Sequence, residues 1–183
     1  MDRRRRTIRV ALETLGAPID RYLAMNRDGI AVLNDAVGGV SVTLEDNFTA
    51  LDPAMVQGRT LTLKGVQAEH YVRGRVGVGA GTNEARMARQ RQYVSRLSQQ
   101  LGERIREDQA YIGGLWDVLE PYLTTDMPRG QLSRLSWAAR DYEQVELALS
   151  GEHRIGADGF MEFRVDEAAL QQTVLELFYQ EAE

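Results

Sequence analysis

Apolar residues recur at helical spacing from the start of the chain. Ile8, Ala11, Leu12 and Leu15 share a face over residues 7–15, and Gly16 with Pro18 ends that helix. Residues 19–25 (IDRYLAM) alternate apolar and polar side chains, which predicts a strand. Residues 29–37 (GIAVLNDAV) predict a short helix with Asp28 as N-cap and Gly38-Gly39 as the stop, and residues 40–44 (VSVTL) a half-buried strand. Residues 45–60 read as loop, 60–63 as a short strand and Lys64-Gly65 as a turn; residues 66–72 fit a helix or an extended approach to the glycine-rich stretch after them. Gly74, Gly77, Gly79 and Gly81 mark a loop with exposed backbone. A long helix starts near Asn83, taken as its N-cap, and runs to about Glu107 with Met87, Val94, Leu97, Leu101 and Ile105 as its buried stripe.

The pattern continues with a helix over residues 112–122, a cap at Thr124-Thr125-Asp126 and a helix over about 129–140. Strands come next at 145–149 and 161–165 around a turn at 156–159. Asp166 then caps a final helix with Ala169, Leu170, Val174, Leu177 and Phe178 on its apolar face. Alternating helices and strands indicate an α/β fold, a mixed central sheet flanked by helices in three layers. No internal repeat or linker divides the 183 residues, so one domain over 1–183 is the economical reading.

Composition narrows the function. The chain has no cysteine, which excludes disulfides, thiolate metal sites and cysteine nucleophiles. No apolar run is long enough to span a bilayer. His70 and His153 have no ligand-like spacing, so no metal site is assigned. Of the 22 basic residues, Lys64 is a lysine and the rest are arginines. Between Arg73 and Arg106 eight arginines face only Glu84 and Glu103, whereas the chain beyond Asp141 is strongly acidic. The net charge of −5 therefore hides a basic middle suited to an anionic partner.

That middle contains YVRGRVGVGAGTNEARMARQRQYV, residues 71–94. Arg73 and Arg75 lie two apart and share a face in an extended chain. Arg86 and Gln90 lie one turn apart at the start of the long helix, whose N-terminus favours anions. The residues alone support two readings, a phosphate site and a solvated basic face. Trp116, Trp137, Tyr71, Tyr93 and Tyr111 read as packing residues, and Asp35 as a helix-end residue.

The run YVRGR, a glycine-containing loop and TNEARMARQRQYV together resemble the signature of the LytR-CpsA-Psr (cell envelope-related transcriptional attenuator) family, a YVR-x-R element before an R-x-x-RQ helix start. DAVGGVSVTL (35–44) is similar to the family's aspartate–hydrophobic–GGV strand entry, and TLKGVQAEHYVRGR (62–75) to its L-x-G-x-QA-x-x-YVR-x-R element. LTTDMPRGQL (123–132) resembles a later helix cap, and FRVDEAALQQTVLELFYQ the ending of some members. The resemblance implies a cell-wall phosphotransferase that binds a polyprenyl-pyrophosphate-linked glycopolymer and transfers its phosphoglycosyl part to peptidoglycan, usually with Mg²⁺. It also implies that Arg73 and Arg75 are catalytic and that Arg73, Arg75, Arg86 and Gln90 hold the pyrophosphate, with Arg89 either joining them or facing the protein.

The resemblance covers the C-terminal two-thirds of the family's domain and implies an N-terminally truncated fold. The family's membrane anchor, its early metal-binding aspartate and a serine–apolar–proline–arginine–aspartate element have no counterpart here, and Ala80 or Asn83 stands where many members carry a second aspartate. The expectations are therefore an incomplete Mg²⁺ site and an extracytoplasmic, membrane-associated setting carried over from the family. The partners expected are the glycolipid, peptidoglycan and a second copy pairing across an open sheet edge, with no nucleic acid. The competing functions are a non-catalytic anion-binding or scaffold fragment of the same fold and, ranked below it, a nucleic-acid-binding regulator.

Overall fold

The computed structural model describes residues 20–142, 149–157, 159 and 161–179. They fall into two compact units, Leu23–Gln144 and a second made of Met1–Tyr22 with Val145–Glu183. The helix expected over 7–15 lies outside the described residues, as does nearly all of the strand expected over 145–149.

The larger unit runs β1 (Leu23–Met25), α1 (Gly29–Ala36), β2 (Ser41–Thr43), β3 (Thr60–Thr62), α2 (Val66–Arg73) and α3 (Asn83–Glu107). It continues with α4 (Tyr111–Leu119), a 3-10 turn (Glu120–Tyr122), β4 (Leu123–Thr125) and α5 (Arg129–Ala139). The α/β class predicted from the pattern holds. The described strands pair as three short antiparallel ribbons, β1 with β4, β2 with β3, and a third in the smaller unit, rather than as one mixed sheet. Sequence pattern assigns Thr124 and Thr125 to a helix cap, but they form β4 opposite Ala24 and Leu23. Strands of three residues leave too short a ladder for the pattern to reveal who pairs with whom.

Several caps also differ from expectation. Asp28 makes no side-chain cap; Asn26 Oδ1 accepts the Gly29 N–H at 3.0 Å instead. The N-cap of α3 is Thr82, whose hydroxyl accepts from the Ala85 amide at 3.2 Å, and Asn83 is already helical. The predicted stop at Gly38-Gly39 is correct, both residues having positive φ. A Cβ on Gly39 would lie 2.6 Å from the Leu63 carbonyl oxygen, so only glycine lets the turn after α1 lie against the end of β3.

The main core joins the apolar faces of β2 and β3 to α2 and α3. Val40, Val42, Leu44, Phe48, Leu63 and Tyr71 are all buried there. A second cluster, Ile105, Ile112, Leu115 and Leu119, packs with Trp116 and Trp137 at its side, in keeping with a packing role for both tryptophans. The buried stripe of α3 is Arg89, Tyr93, Leu97, Gly102 and Ile105, whereas Met87 and Val94 are exposed. Hydrophobicity alone misplaces this stripe by part of a turn, because Arg89 and Tyr93 are buried with partners that meet their polar atoms.

The smaller unit contains the hairpin β5 (Gly151–Ile155) and β6 (Met161–Val165) and the helix α6 (Glu167–Phe178). Asp166 caps α6 as predicted, accepting from the Ala168 and Ala169 amides. Leu170 and Val174 are buried, while Leu177 and Phe178, expected on the same apolar face, are exposed.

Candidate anion-binding site

The predicted site residues gather where α2 ends and α3 begins. Val66–Arg73 is helical, so Arg73 sits in the last turn of α2, Gly74 leaves the helix with φ −55° and ψ 132°, and Arg75 comes next in the loop. The shared face of Arg73 and Arg75 expected from an extended chain therefore does not exist. The two instead flank the kink at Gly74, where a Cβ would lie 2.5 Å from the His70 carbonyl oxygen. Both are exposed, and among the described residues neither guanidinium has an ion-pair or hydrogen-bond partner.

Of the two readings open for Arg89, the structure shows the inward one. Arg89 is 2% exposed and its guanidinium is fully engaged by the protein. Nε donates to the Tyr71 carbonyl at 3.1 Å, one Nη donates to the Gly74 carbonyl, and the other forms an ion pair with Asp46. The group also lies over the Phe48 ring, 5.3 Å from its centroid. A side chain held on every side cannot line an open phosphate site; Arg89 instead fastens the backbone around the kink between Arg73 and Arg75.

Gln90 spends one amide N–H on the Val72 carbonyl at 2.9 Å, a second tie between α2 and α3, and keeps the other. Arg86, one turn nearer the N-terminus of α3, donates to Asn83 Oδ1, while its Nε is buried without a partner. The loop that joins the two helices is also anchored. Val78 is buried, and Gly79, with positive φ, lies so close to Asp46 that any Cβ there would collide with the carboxylate.

The structure thus brings Arg73, Arg75, Arg86 and Gln90 to one junction and gives Arg89 a structural role. Sequence reasoning missed Asp46 and Asn34. Asn34 is fully buried, donating to the Leu63 carbonyl at 2.7 Å and accepting from the Val40 amide at 3.1 Å. Asp35 accepts from the Gly65 amide at 2.7 Å, which confirms its structural reading. A polar residue amid the apolar run IAVLND was the available signal for Asn34; nothing in the loop EDNF singles out Asp46.

Among the described residues no three His, Asp or Glu side chains converge, and Asp46 is committed to Arg89. Tyr71 donates to Gln92, and burial, helped by Glu45 and Asp46 against the opposing pull of Arg89, pushes its phenol up to about 12. The folded state favours the neutral phenol. Its stabilisation is complete below the ordinary phenol pKa of 10.0 and is lost as pH rises through about 12. Melting temperature should therefore fall more steeply in this window for the wild type than for Tyr71→Phe; parallel curves would rule the coupling out.

The larger unit also carries a half-open apolar pocket of about 350 Å³ lined by Leu101, Ile105, Leu115, Trp116, Leu119 and Leu123 among others. An arginine-rich helix junction and an apolar pocket thus lie on one α/β unit. The sequence profile of the LytR_cpsA_psr family matches residues 5–178, and the chain belongs to that family. It is 30% identical over 161 residues to a polyisoprenyl-teichoic acid–peptidoglycan teichoic acid transferase, TagU, of Halalkalibacterium halodurans, covering 79% of this chain and 48% of that protein. The chain thus spans about half the length of this curated relative. The fold is similar to that of Bacillus subtilis TagV, with a TM-score of 0.74 at 20% identity over 93% of this chain and 68% of that one. It is likewise similar to TagT solved bound to LI-WTA, with a TM-score of 0.73 at 22% identity over 93% and 64% of the two chains.

Proposed function

We propose that this chain holds the pyrophosphate of a polyprenyl-linked glycopolymer at the α2–α3 junction and serves its transfer to peptidoglycan. The observation that carries the reading is the pair of unpartnered arginines, Arg73 and Arg75, on either side of a backbone kink fastened by Arg89 and Gln90. A pyrophosphate set against them would also meet Arg86 and the N-terminal amides of α3, which lack intrahelical acceptors. Guanidinium forks match phosphate oxygens and stabilise the charge that develops during transfer.

In that transfer an acceptor hydroxyl oxygen forms a bond to the glycan-bearing phosphorus. The P–O bond to the lipid-side phosphate breaks, polyprenyl phosphate leaves, and the hydroxyl proton passes to solvent. Arg73 and Arg75 would hold the phosphate oxygens in line for the displacement. The apolar cavity would take part of the polyprenyl chain. Mg²⁺ enters the proposal as an ion carried in by the pyrophosphate. The setting implied is extracytoplasmic and membrane-associated; among the described residues no helix is long and apolar enough to cross a membrane. The remaining partner proposed is a second copy of the chain.

A second reading, anion binding without transfer, rests on the same pair of exposed arginines. Calorimetric titration with a short polyprenyl pyrophosphate, with and without Mg²⁺, tests the shared part of both. Wild-type protein should bind, and Arg75→Ala should weaken binding about tenfold or more, the worth of a charge-assisted contact. Equal affinity in the two proteins would overturn the site. Turnover of a wall-polymer analogue would then separate transfer from binding alone.

A further inference from the structure

The β2–β3 ribbon has an open side. The Leu63 amide donates to the Val40 carbonyl at 2.9 Å and the Leu44 amide to the Arg59 carbonyl at 2.9 Å. In an antiparallel ladder this alternation turns the backbone N–H and C=O of Ser41 and Thr43 away from β3, towards the free edge of β2. Among the described residues no backbone group meets them there. Both residues are exposed, and their hydroxyls are joined across the ribbon to Thr62 and Thr60, so neither covers the edge. One face of α3 stands across a groove of about 530 Å³ from β2. A strand edge on one side and a helix on the other frame the space that an extended chain fills when it joins a sheet as an added strand.

The middle of the helix wall is already engaged. Gln100 donates to the Val37 and Gly39 carbonyls at 2.8 and 3.1 Å, Arg104 to the Val37 carbonyl at 3.1 Å, and Gln99 to Glu103 at 3.3 Å. These bonds also fix direction. Arg104 holds Val37 alone, whereas Gln100 reaches on to Gly39, so α3 runs antiparallel to the chain entering β2. At the rise of an α-helix Arg96 lies roughly 6 Å beyond Gln100, towards the Thr43 end of the groove, and Glu107 stands at the opposite end, about 16 Å from Arg96. Both line the groove, and among the described residues neither has an ion-pair or hydrogen-bond partner. The groove thus offers a cation at one end, an anion at the other and an unpaired strand edge between them.

We infer that this groove binds an extended peptide, which adds to β2 as an antiparallel strand through the backbone of Ser41 and Thr43, with an acidic side chain near its N-terminus facing Arg96 and a basic one near its C-terminus facing Glu107. Running opposite to β2, such a peptide enters at the Thr43 end and leaves at the Ser41 end. Main-chain pairing supplies affinity whatever the sequence, and the two charges set direction and choice of partner. The inference is independent of what the arginine junction binds.

Titration with a blocked hexapeptide tests it, the peptide having glutamate first, lysine last and threonine alternating with valine between them. The amide resonances of Ser41 and Thr43 should shift and saturate, while those of Arg73 and Arg75 stay in place. Methylating the peptide nitrogens that face β2 should raise the dissociation constant by about tenfold or more, and methylating the outward ones should leave it unchanged. A peptide with lysine first and glutamate last should bind about fivefold more weakly. The double variant Arg96→Glu/Glu107→Arg should reverse that preference, an outcome that general damage to the fold could not produce. Resonances of Ser41 and Thr43 that stay still, equal affinity for the two methylated peptides, or a preference that the double variant leaves as it was would each overturn the inference.

Discussion

Replacing Arg89 with alanine should cost about 3–5 kcal/mol, the usual penalty for leaving one member of a buried ion pair without the other. This is a large fraction of the ~5–15 kcal/mol that holds a typical domain together. The loss has three sources. The Asp46 carboxylate loses its counter-charge, the Tyr71 and Gly74 carbonyls lose their donor, and the Phe48 ring loses the cation above it. Arg89→Lys should recover only part of the loss, because a single ammonium cannot reach three acceptors in the directions a guanidinium covers. Urea denaturation checks this directly, and a loss below about 1 kcal/mol would show that the clamp is not what holds the kink. Any folded Arg89→Ala protein should also bind pyrophosphate poorly, since Arg73 and Arg75 depend on the backbone that Arg89 fixes.

Asn34 carries the second large effect. Asn34→Leu keeps roughly the same volume but leaves the Leu63 carbonyl and the Val40 amide without partners in a fully buried place. Each orphaned group costs about 1–3 kcal/mol, so a total near 3 kcal/mol is expected, with loss of protection of the Val40 amide in hydrogen exchange. Protection equal to that of the wild type would mean that another group or water takes over the bond. The Gln100 and Arg104 side chains, which donate to the Val37 carbonyl, hold the neighbouring turn but reach neither orphan.

The boundaries of α1, β2, β3, α3 and β6 could be read from the chain because each rests on a local signal: an apolar period, a glycine stop or a strict alternation. The site was legible to the same extent. Arg73, Arg75, Arg86 and Gln90 stand out as a cluster in sequence and meet at one junction in space. Arg89 could not be resolved this way. Its side chain faces inward because Asp46, forty-three positions away, is there to receive it, and no local pattern reports a partner at that range. The pairing of β4 with β1 was hidden for the same reason, since Leu23 and Thr125 meet only after the whole unit has closed around α3.

Under the proposed function, the length of α3 would bear on which lipids this protein accepts. The helix is 25 residues long, about 37 Å end to end, and it is one rigid body. Arg86 stands near one end and Leu101, on the wall of the apolar cavity, about 22 Å further along. Head and tail of such an amphiphile would therefore be gauged against a single ruler. A pyrophosphate with too short a hydrocarbon would satisfy the arginines and leave the cavity vacant, whereas one of full reach would engage both ends at once. Selection by chain length would then come from the stiffness of a helix.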